Sequence, residues 1–334
     1  MKDNTLASGS TGMTDKSSTA EQLKRQRHFF RIVTSRKRNK QWKVERKLKS
    51  DFIAGAKFLR NIFILLCAIV IASCTKDDEH TDTINDFVTI PDNQFESMLI
   101  EQNIDSDGVV NQKISKTDAL DATHLDLHYS ASGMYIEDLT GIEGFTNLTF
   151  LSASSHLIED IDLSHNTLLD TVLLQANEIH SIQGLSNLSN LKKLDLSWNL
   201  LDSLSFKNES IEILLASNNL LEFFEVENAD KLKSIILTSN KLSTVNIGTY
   251  PLLETLLLSD NLLQSIDLEQ SGNLSYLFIS GNSLAELSVS SNQNLVDLRV
   301  DRNPDLSCIH IGNNQEIPTV SLSEYQELST NCNE

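Results

Sequence analysis

The sequence lacks the motifs that carry catalysis, and it is poor in the residues that usually build a reactive site. Its 334 residues include four cysteines and eight histidines. There is no G-x-S-x-G, no phosphate-binding loop, no H-E-x-x-H and no Cys–His arrangement. The histidines are scattered, and the many carboxylates form no matched acid–base pair. These absences predict a protein that is not an enzyme and holds no cofactor.

Basic charge is scarce after residue 60. Residues 1–60 carry 16 of the 27 Lys and Arg residues but only 5 of the 46 Asp and Glu residues. The remainder therefore has 11 basic and 41 acidic residues, a net charge of −30, within a whole-chain charge of −19. Such an acidic body repels phosphate backbones, which argues against nucleic acid as its partner.

The apolar run at residues 62–73 is too short to cross a membrane. A span needs about 20 residues, whereas this run has twelve and suits the core of a signal peptide. It ends in Ile71-Ala72-Ser73-Cys74, which resembles a bacterial lipobox. The resemblance implies cleavage before Cys74 and lipidation there by three acyl chains, which anchor more firmly than one. Alternatively, Cys74 merely ends the run.

The segments around this signal peptide, taken as residues 58–74, are polar. Residues 75–79 (TKDDE) begin an acidic tether, 75–86, and resemble the surface-export signal of Bacteroidota lipoproteins. That resemblance implies that the protein is exported to the outer face of the outer membrane. The alternative is that the stretch is an ordinary acidic tether. Residues 1–57 are predicted to be a basic, disordered extension. We attribute this extension to a start codon assigned too far upstream. A cytoplasmic tail on an uncleaved anchor stays open, as does a nucleic-acid-binding arm.

Seven asparagines recur at intervals of 20 to 22 residues, and each follows apolar residues at −8, −5 and −3. This period indicates a repeat architecture. The apolar-x-apolar step has the side-chain period of a strand, and the amide that follows can satisfy backbone groups of its own and neighbouring turns. We predict a ladder formed by Asn177, Asn199, Asn219, Asn240, Asn261, Asn282 and Asn303.

The frame L-x-x-L-x-L-x-x-N-x-L resembles the leucine-rich repeat, as found in surface lipoproteins of the Bacteroidota type. A degenerate copy carries His156 in the Asn position. The resemblance implies a right-handed solenoid or horseshoe, mostly β, with short 3₁₀ turns and a small helical N-terminal cap. A weaker apolar-x-apolar pattern in each return path predicts further strands, among them residues 245–247 and 266–268.

The repeats, residues 125–305, need a cap at each end. Residues 87–124 predict an N-terminal cap with a helix starting near Pro91 or Asp92. Asp105 and Asp107 follow it; a calcium loop there is the weaker alternative to a turn with solvated acids. The C-terminal cap, 306–334, holds the cysteines left over in an oxidising compartment, for which we predict a disulfide between Cys308 and Cys332; two free thiols or a metal site are the alternatives.

One column of residues on the main strands points away from the core, towards the concave face. Five of its eight members are apolar: the column comprises Ser152, Leu173, Asp195, Leu215, Ile236, Leu257, Phe278 and Arg299. An exposed apolar stripe often marks an interaction site, although such residues can also simply stack across strands. We predict partner binding through Leu173, Trp198, Leu215, Ile236, Leu257, Tyr276 and Phe278.

Three functions fit these observations. The first is binding of a protein or peptide partner, in adhesion, host contact or an envelope complex. The second is a structural envelope component without a discrete ligand. The third is binding of a glycan, since Trp198, Tyr276 and Phe278 could stack on sugars.

Overall fold

The computed structural model describes residues 86–127, 134–248 and 250–332. The predicted basic extension, signal peptide and lipid site Cys74 lie outside the described residues, as does all but the last residue of the tether. Residues 83–334 form one compact unit. Within the described ranges, no helix is both long enough and apolar enough to span a bilayer.

The described chain begins with a small mixed cap. Strand β1 (Phe87–Thr89) is followed by helix α1 (Asn93–Glu101), strand β2 (Lys113–Ser115) and helix α2 (Lys116–Asp121). Asp92 accepts the N–H groups of Gln94 and Phe95 and thereby starts α1 one residue beyond the predicted position. Helix α2 was not predicted, although Ser115 caps it by accepting the Asp118 N–H.

Within the described ranges, seventeen further strands form the two faces of a solenoid, ten on one face and seven on the other. They are β3 (His124–Asp126), β4 (Phe150–Ser152), β5 (Asp160–Asp162), β6 (Thr171–Leu173), β7 (Ser181–Gln183), β8 (Lys193–Asp195), β9 (Ser203–Lys207), β10 (Ile213–Leu215), β11 (Phe223–Glu227), β12 (Ser234–Ile236), β13 (Thr255–Leu257), β14 (Tyr276–Phe278), β15 (Leu287–Ser288), β16 (Asp297–Arg299), β17 (Cys308–His310), β18 (Thr319–Ser321) and β19 (Glu327–Ser329).

A parallel sheet of ten short strands forms the concave face. Its order is β3-β4-β6-β8-β10-β12-β13-β14-β16-β18, so each coil adds one strand beside the last. The middle residue of each strand of this sheet from β3 to β16, such as Leu214, Ile235 or Leu256, is fully buried. The chain is therefore a leucine-rich-repeat solenoid, as predicted, and the sheet runs one coil beyond the predicted end at residue 305.

The repeated asparagines form a continuous ladder beneath this sheet. Asn261 donates its Nδ2–H groups to the carbonyls of Leu237 and Leu258, both at 3.0 Å, and its Oδ1 accepts the Leu242 N–H at 3.1 Å. The next asparagine, Asn282, donates to Leu258 as well. The carbonyl three residues before a ladder asparagine thus accepts two side-chain amide groups, one from the asparagine of its own coil and one from the asparagine of the next coil.

The residue before each ladder position turns the chain out of the strand with a left-handed backbone. The φ angle lies between 57° and 67° at Ser155, Ala176, Trp198, Asn218, Ser239, Asp260, Gly281 and Arg302. Only some of these residue types favour that conformation. The ladder therefore holds the turn in this conformation even at Trp198, whose bulky side chain disfavours a positive φ.

The convex face is discontinuous. Strands pair as β5–β7, β9–β11 and β15–β17–β19. The predicted strands at 245–247 and 266–268 do not form, although Ile247 and Leu268 still point into the core. Next to the first of them, the Tyr250 hydroxyl accepts the Val226 N–H at 3.1 Å. A side chain thus occupies an edge of β11 that another strand would otherwise pair with.

Two local features close the coils. Residues Leu185–Asn187 form one of the short 3₁₀ turns that the repeat resemblance implies, directly after Gly184, whose φ is 82°. A Cβ at Gly184 would lie 2.2 Å from the Ser164 nitrogen, so the turn requires glycine. At the C-terminal end a disulfide joins Cys308 to Cys332 and holds the chain beyond β19 against β17.

Candidate functional site

The predicted column forms one straight row across the concave face, called here the central row. Strand pairing aligns Leu215 with Ile236, Ile236 with Leu257, and Leu257 with Phe278. The same register continues to Asp195 and Leu173 at one end and to Arg299 at the other. All four apolar residues from Leu215 to Phe278 are only partly buried. At about 4.8 Å per strand they extend roughly 14 Å.

Two further rows flank the central row, because alternate residues of a strand share a face. The leading row lies two residues earlier and contains Lys193, Ile213, Ser234, Thr255, Tyr276 and Asp297. The trailing row lies two residues later and contains Ser197, Ser217, Thr238, Ser259, Ser280 and Asp301. Over the four strands β10, β12, β13 and β14 all three rows are uncharged. In so acidic a body, this window is the part of the concave face best suited to apolar contact.

The predicted aromatic residues occupy different places. Tyr276 stands in the leading row on the same strand as Phe278 and is 45% exposed. Phe278 packs under the guanidinium of Arg299, which lies 4.0 Å from the ring centroid. Trp198 is not on a strand: it lies in the left-handed turn beside the face. The structure thus places Tyr276 within the window and Trp198 at its margin.

Charged residues close the window at the β16 end. Arg299 donates to both oxygens of Asp297, at 3.2 and 3.0 Å, and this hydrogen bonding raises the pKa of Arg299. Asp301 accepts the hydroxyls of Ser280 and Ser321, and the Ser280 hydrogen bond is the main cause that lowers the pKa of Asp301. These groups are fixed by their neighbours and so form an ordered polar border.

A second ion pair on this border spans two coils. Arg302 Nη1 lies 2.7 Å from Asp260 Oδ1, across the intervening Gly281. A Cβ on Gly281 would come within 2.5 Å of that carboxylate oxygen and 2.8 Å of Nη1. Glycine at this position therefore makes the bridge possible. The partners are 42 residues apart, which is two repeats, so they occupy the same position of the frame in two coils that are not adjacent.

The acids of the N-terminal cap are less solvated than predicted. Asp105 is 3% exposed, and its Oδ2 has no hydrogen-bond partner. Burial, followed by the nearby charge of Asp107, raises the pKa of Asp105 to about 6. Glu96 is fully buried, and its carboxylate accepts three backbone N–H groups from residues 111–113. Within the described ranges no group of three or more His, Cys, Asp or Glu residues is arranged to hold a metal ion.

His156 takes the ladder position with a different geometry. Its Nδ1 accepts the Ile136 N–H at 3.2 Å, and its Nε2–H donates to the Leu127 carbonyl. Leu127 and Ile136 lie at the two ends of residues 128–135, which are an insertion relative to the repeat frame, so the imidazole ring, which is longer than an asparagine side chain, holds both ends of the insertion. The ring is fully buried and has a structural role.

The sequence patterns missed two polar rows. One row runs along the edge of the sheet, and the charges of its members alternate in sign: Asp170, Lys192, Glu212, Lys233 and Glu254. Within this row Lys233 forms an ion pair with Glu212 at 2.8 Å. The other is a partial second ladder, eleven residues before the main one, in which Asn166, Asn208 and Asn292 donate to buried carbonyls. Intervening Leu188, Ala229 and Tyr250 obscure this row in the sequence.

No protein-family model matches the chain, and no curated protein matches it. Among solved structures, the functional domain of InlJ from Listeria monocytogenes is similar, with 23% identity and a TM-score of 0.49. That match covers 67% of this chain and 56% of the InlJ chain, so this chain spans little more than half of its relative.

Two further solved structures illustrate the same similarity. Internalin C2 from Listeria monocytogenes is 17% identical with a TM-score of 0.44, covering 71% of this chain and 95% of its own. The leucine-rich repeat domain of APL1 is 25% identical with a TM-score of 0.42, covering 57% and 54%. The argument for function therefore depends on the residues of this chain.

Proposed function

We propose that the protein is a non-enzymatic lipoprotein of the bacterial outer membrane, exposed at the cell surface, whose concave face binds a protein or peptide partner. The observation that carries the proposal is the uncharged window around Leu215, Ile236, Leu257 and Phe278, in a region with a net charge of −30. Apolar and aromatic side chains on a rigid sheet are typical anchors at protein interfaces. The short Ser and Thr residues of the trailing row, together with Ser234 and Thr255 of the leading row, leave the apolar row accessible.

Binding is tested with residues 83–334 as an immobilised probe against envelope and host-cell extracts. The variant Ile236→Asp with Leu257→Asp places two charges in the middle of the window and should abolish capture of any partner. The matched control, Leu220→Asp with Leu262→Asp, makes the same change at residues that are 40% and 54% exposed at the edge of the coil. Capture that survives the first pair unchanged, in a variant that still unfolds cooperatively, places the binding site elsewhere.

Anchoring is supported by the lipobox at residues 71–74 and by the acidic, lysine-containing stretch after it. Cells that express the full chain should incorporate labelled palmitate into the protein, and Cys74→Ala should remove the label and release the protein from the membrane fraction. Protease added to intact cells should digest the repeats. An unmodified Cys74 in an uncleaved chain contradicts the proposal.

A further inference from the structure

The two ends of the uncharged window carry opposite patterns of charge. At one end strand β8 presents Lys193 in the leading row and Asp195 in the central row. At the other end strand β16 presents Asp297 in the leading row and Arg299 in the central row. The sign order along the strand is thus positive–negative on β8 and negative–positive on β16. Strands β8 and β16 lie equally far from the boundary between β12 and β13.

This arrangement is self-complementary under a two-fold rotation. Consider an axis parallel to the strands, lying in the plane of the face between β12 and β13. It turns β8 of one copy onto β16 of a second copy and keeps the direction of the strands. Lys193 then meets Asp297 of the second copy, and Asp195 meets Arg299 of the second copy. Each contact occurs twice, because the interface is isologous.

The same rotation matches the apolar residues. Leu215 faces Phe278 of the second copy, and Ile236 faces its Leu257. In the leading row, Ile213 faces the second copy's Tyr276; these two side chains are 37% and 45% exposed in the single chain. Side chains that are exposed on one copy thus face side chains that are exposed on the other copy. The short hydroxyl residues of the trailing row oppose one another.

The existing ion pair fits this arrangement as well. Asp297 and Arg299 already form a hydrogen-bonded pair within one chain. Lys193 and Asp195 of the second copy would extend it into a group of four charges with alternating sign. Complementary charge at the margins of an interface fixes the register of two surfaces and suppresses other alignments.

The shape and size of the face allow such contact. On the convex side, β9 pairs with β11 and β15 pairs with β17 at the spacing of the concave strands, on either side of the strandless segments 245–247 and 266–268. The coils therefore stack with less curvature than a row of convex helices, each about 10 Å wide, would impose. Six strands, each about 4.8 Å wide, and three rows, each about 6.6 Å wide, cover an area of about 29 by 20 Å, which is roughly 600 Å² per copy. A total of about 1,200 Å² lies at the lower end of specific interfaces.

We propose that the concave face is the interface of a symmetric homodimer, with the two solenoids antiparallel about an axis between β12 and β13. The inference rests on the proposed function, since it names a second copy of this chain as the partner of the same face. Because the interface is small, the dimer forms reversibly.

The test is a charge exchange between two variants. Lys193→Glu and Asp297→Lys each replace two attractive contacts by two repulsive ones and should each weaken dimerisation by at least about tenfold. In an equimolar mixture, the carboxylate introduced at position 193 of one chain faces the ammonium group introduced at position 297 of the other, while the native Lys193–Asp297 contact is kept at the second position. Mixing should therefore restore the dimer, measured by sedimentation velocity of residues 83–334 over a concentration series.

Controls separate charge from folding. Lys207→Glu makes the same charge change at an exposed residue of the convex strand β9 and should leave dimerisation unchanged. If either variant fails to fold, Asp195→Lys and Arg299→Glu repeat the exchange at the other contact. Far-UV circular dichroism verifies each variant.

Three results overturn the inference: a wild type that is monomeric throughout, a dimer indifferent to both single variants, or loss of the dimer without recovery on mixing. None of them touches the proposed function if Ile236→Asp with Leu257→Asp still abolishes capture of another protein. If that pair changes neither dimerisation nor capture, both proposals fail.

Discussion

Replacing one rung of the asparagine ladder should destabilise the solenoid far more than replacing a surface asparagine. In Asn261→Ala, the Leu242 N–H loses its acceptor, while the carbonyls of Leu237 and Leu258 each keep one amide donor from a neighbouring coil. One buried orphan costs about 1–3 kcal/mol, and each lost second hydrogen bond about 0.5–1 kcal/mol. The expected loss in the free energy of unfolding is therefore about 2–5 kcal/mol.

The matched control is Asn273→Ala. Asn273 is exposed and donates a single hydrogen bond, to the Pro251 carbonyl at 2.9 Å. Its removal should cost about 0.5 kcal/mol or less. Both variants are compared by urea unfolding of residues 83–334, followed by circular dichroism. Hydrogen exchange at the Leu242 amide supplies a local measurement and should accelerate only in Asn261→Ala.

Two results would refute this reasoning. The first is equal stability of the two variants within about 0.5 kcal/mol, which is the usual scatter for surface substitutions. The second is an unchanged exchange rate at the Leu242 amide. Either would mean that water or backbone relaxation replaces the rung, and that the apolar core alone determines the stacking of the coils.

Three other substitutions test single features. The pKa of Asp105 is about 6 in the folded state, above its unfolded value near 3.8, so the folded state gains stability as pH falls through 6 towards 4. Asp105→Asn should therefore be more stable than the wild type by up to about 3 kcal/mol at pH 7.5. Urea titrations should show that this difference in stability becomes much smaller at pH 4.5. Gly281→Ala forces a left-handed alanine into the Arg302–Asp260 bridge and should lower stability by about 1–2 kcal/mol, whereas Gly272→Ala, with open space around it, should not; equal melting temperatures would contradict this. Tyr250→Phe leaves the Val226 N–H without its acceptor, at about 1–3 kcal/mol, and an unchanged exchange rate at that amide would count against it.

The sequence allowed the repeats to be predicted because their physical cause is local and recurs. An apolar-x-apolar step followed by Asn specifies a strand and then a hydrogen-bonded turn, whatever the next coil contains. The core residues, the central row and its register followed from that frame alone. Helix α1 was predicted for the same reason, because Asp92 and the apolar spacing of Phe95, Met98 and Leu99 are visible within one segment.

The return paths could not be predicted as well, because their structure depends on the neighbouring coil. Residues 245–247 have the same local pattern as β11 but form no strand. Beside them, a hydroxyl group from Tyr250 occupies the edge of β11. A strand forms on this face only where the neighbouring coil supplies a segment in register with it for hydrogen bonding. The composition of the segment itself does not specify such a partner.

What the sequence determined by itself is the coil: its period, its buried residues and the direction of its outward side chains, since these depend on contacts within one repeat or between adjacent repeats. The tertiary structure alone decided which distant residues meet. The Arg302–Asp260 bridge over Gly281 and the burial of Asp105 arise only after the coils have stacked, because the repeat frame aligns positions but does not specify which side chains at those positions reach one another.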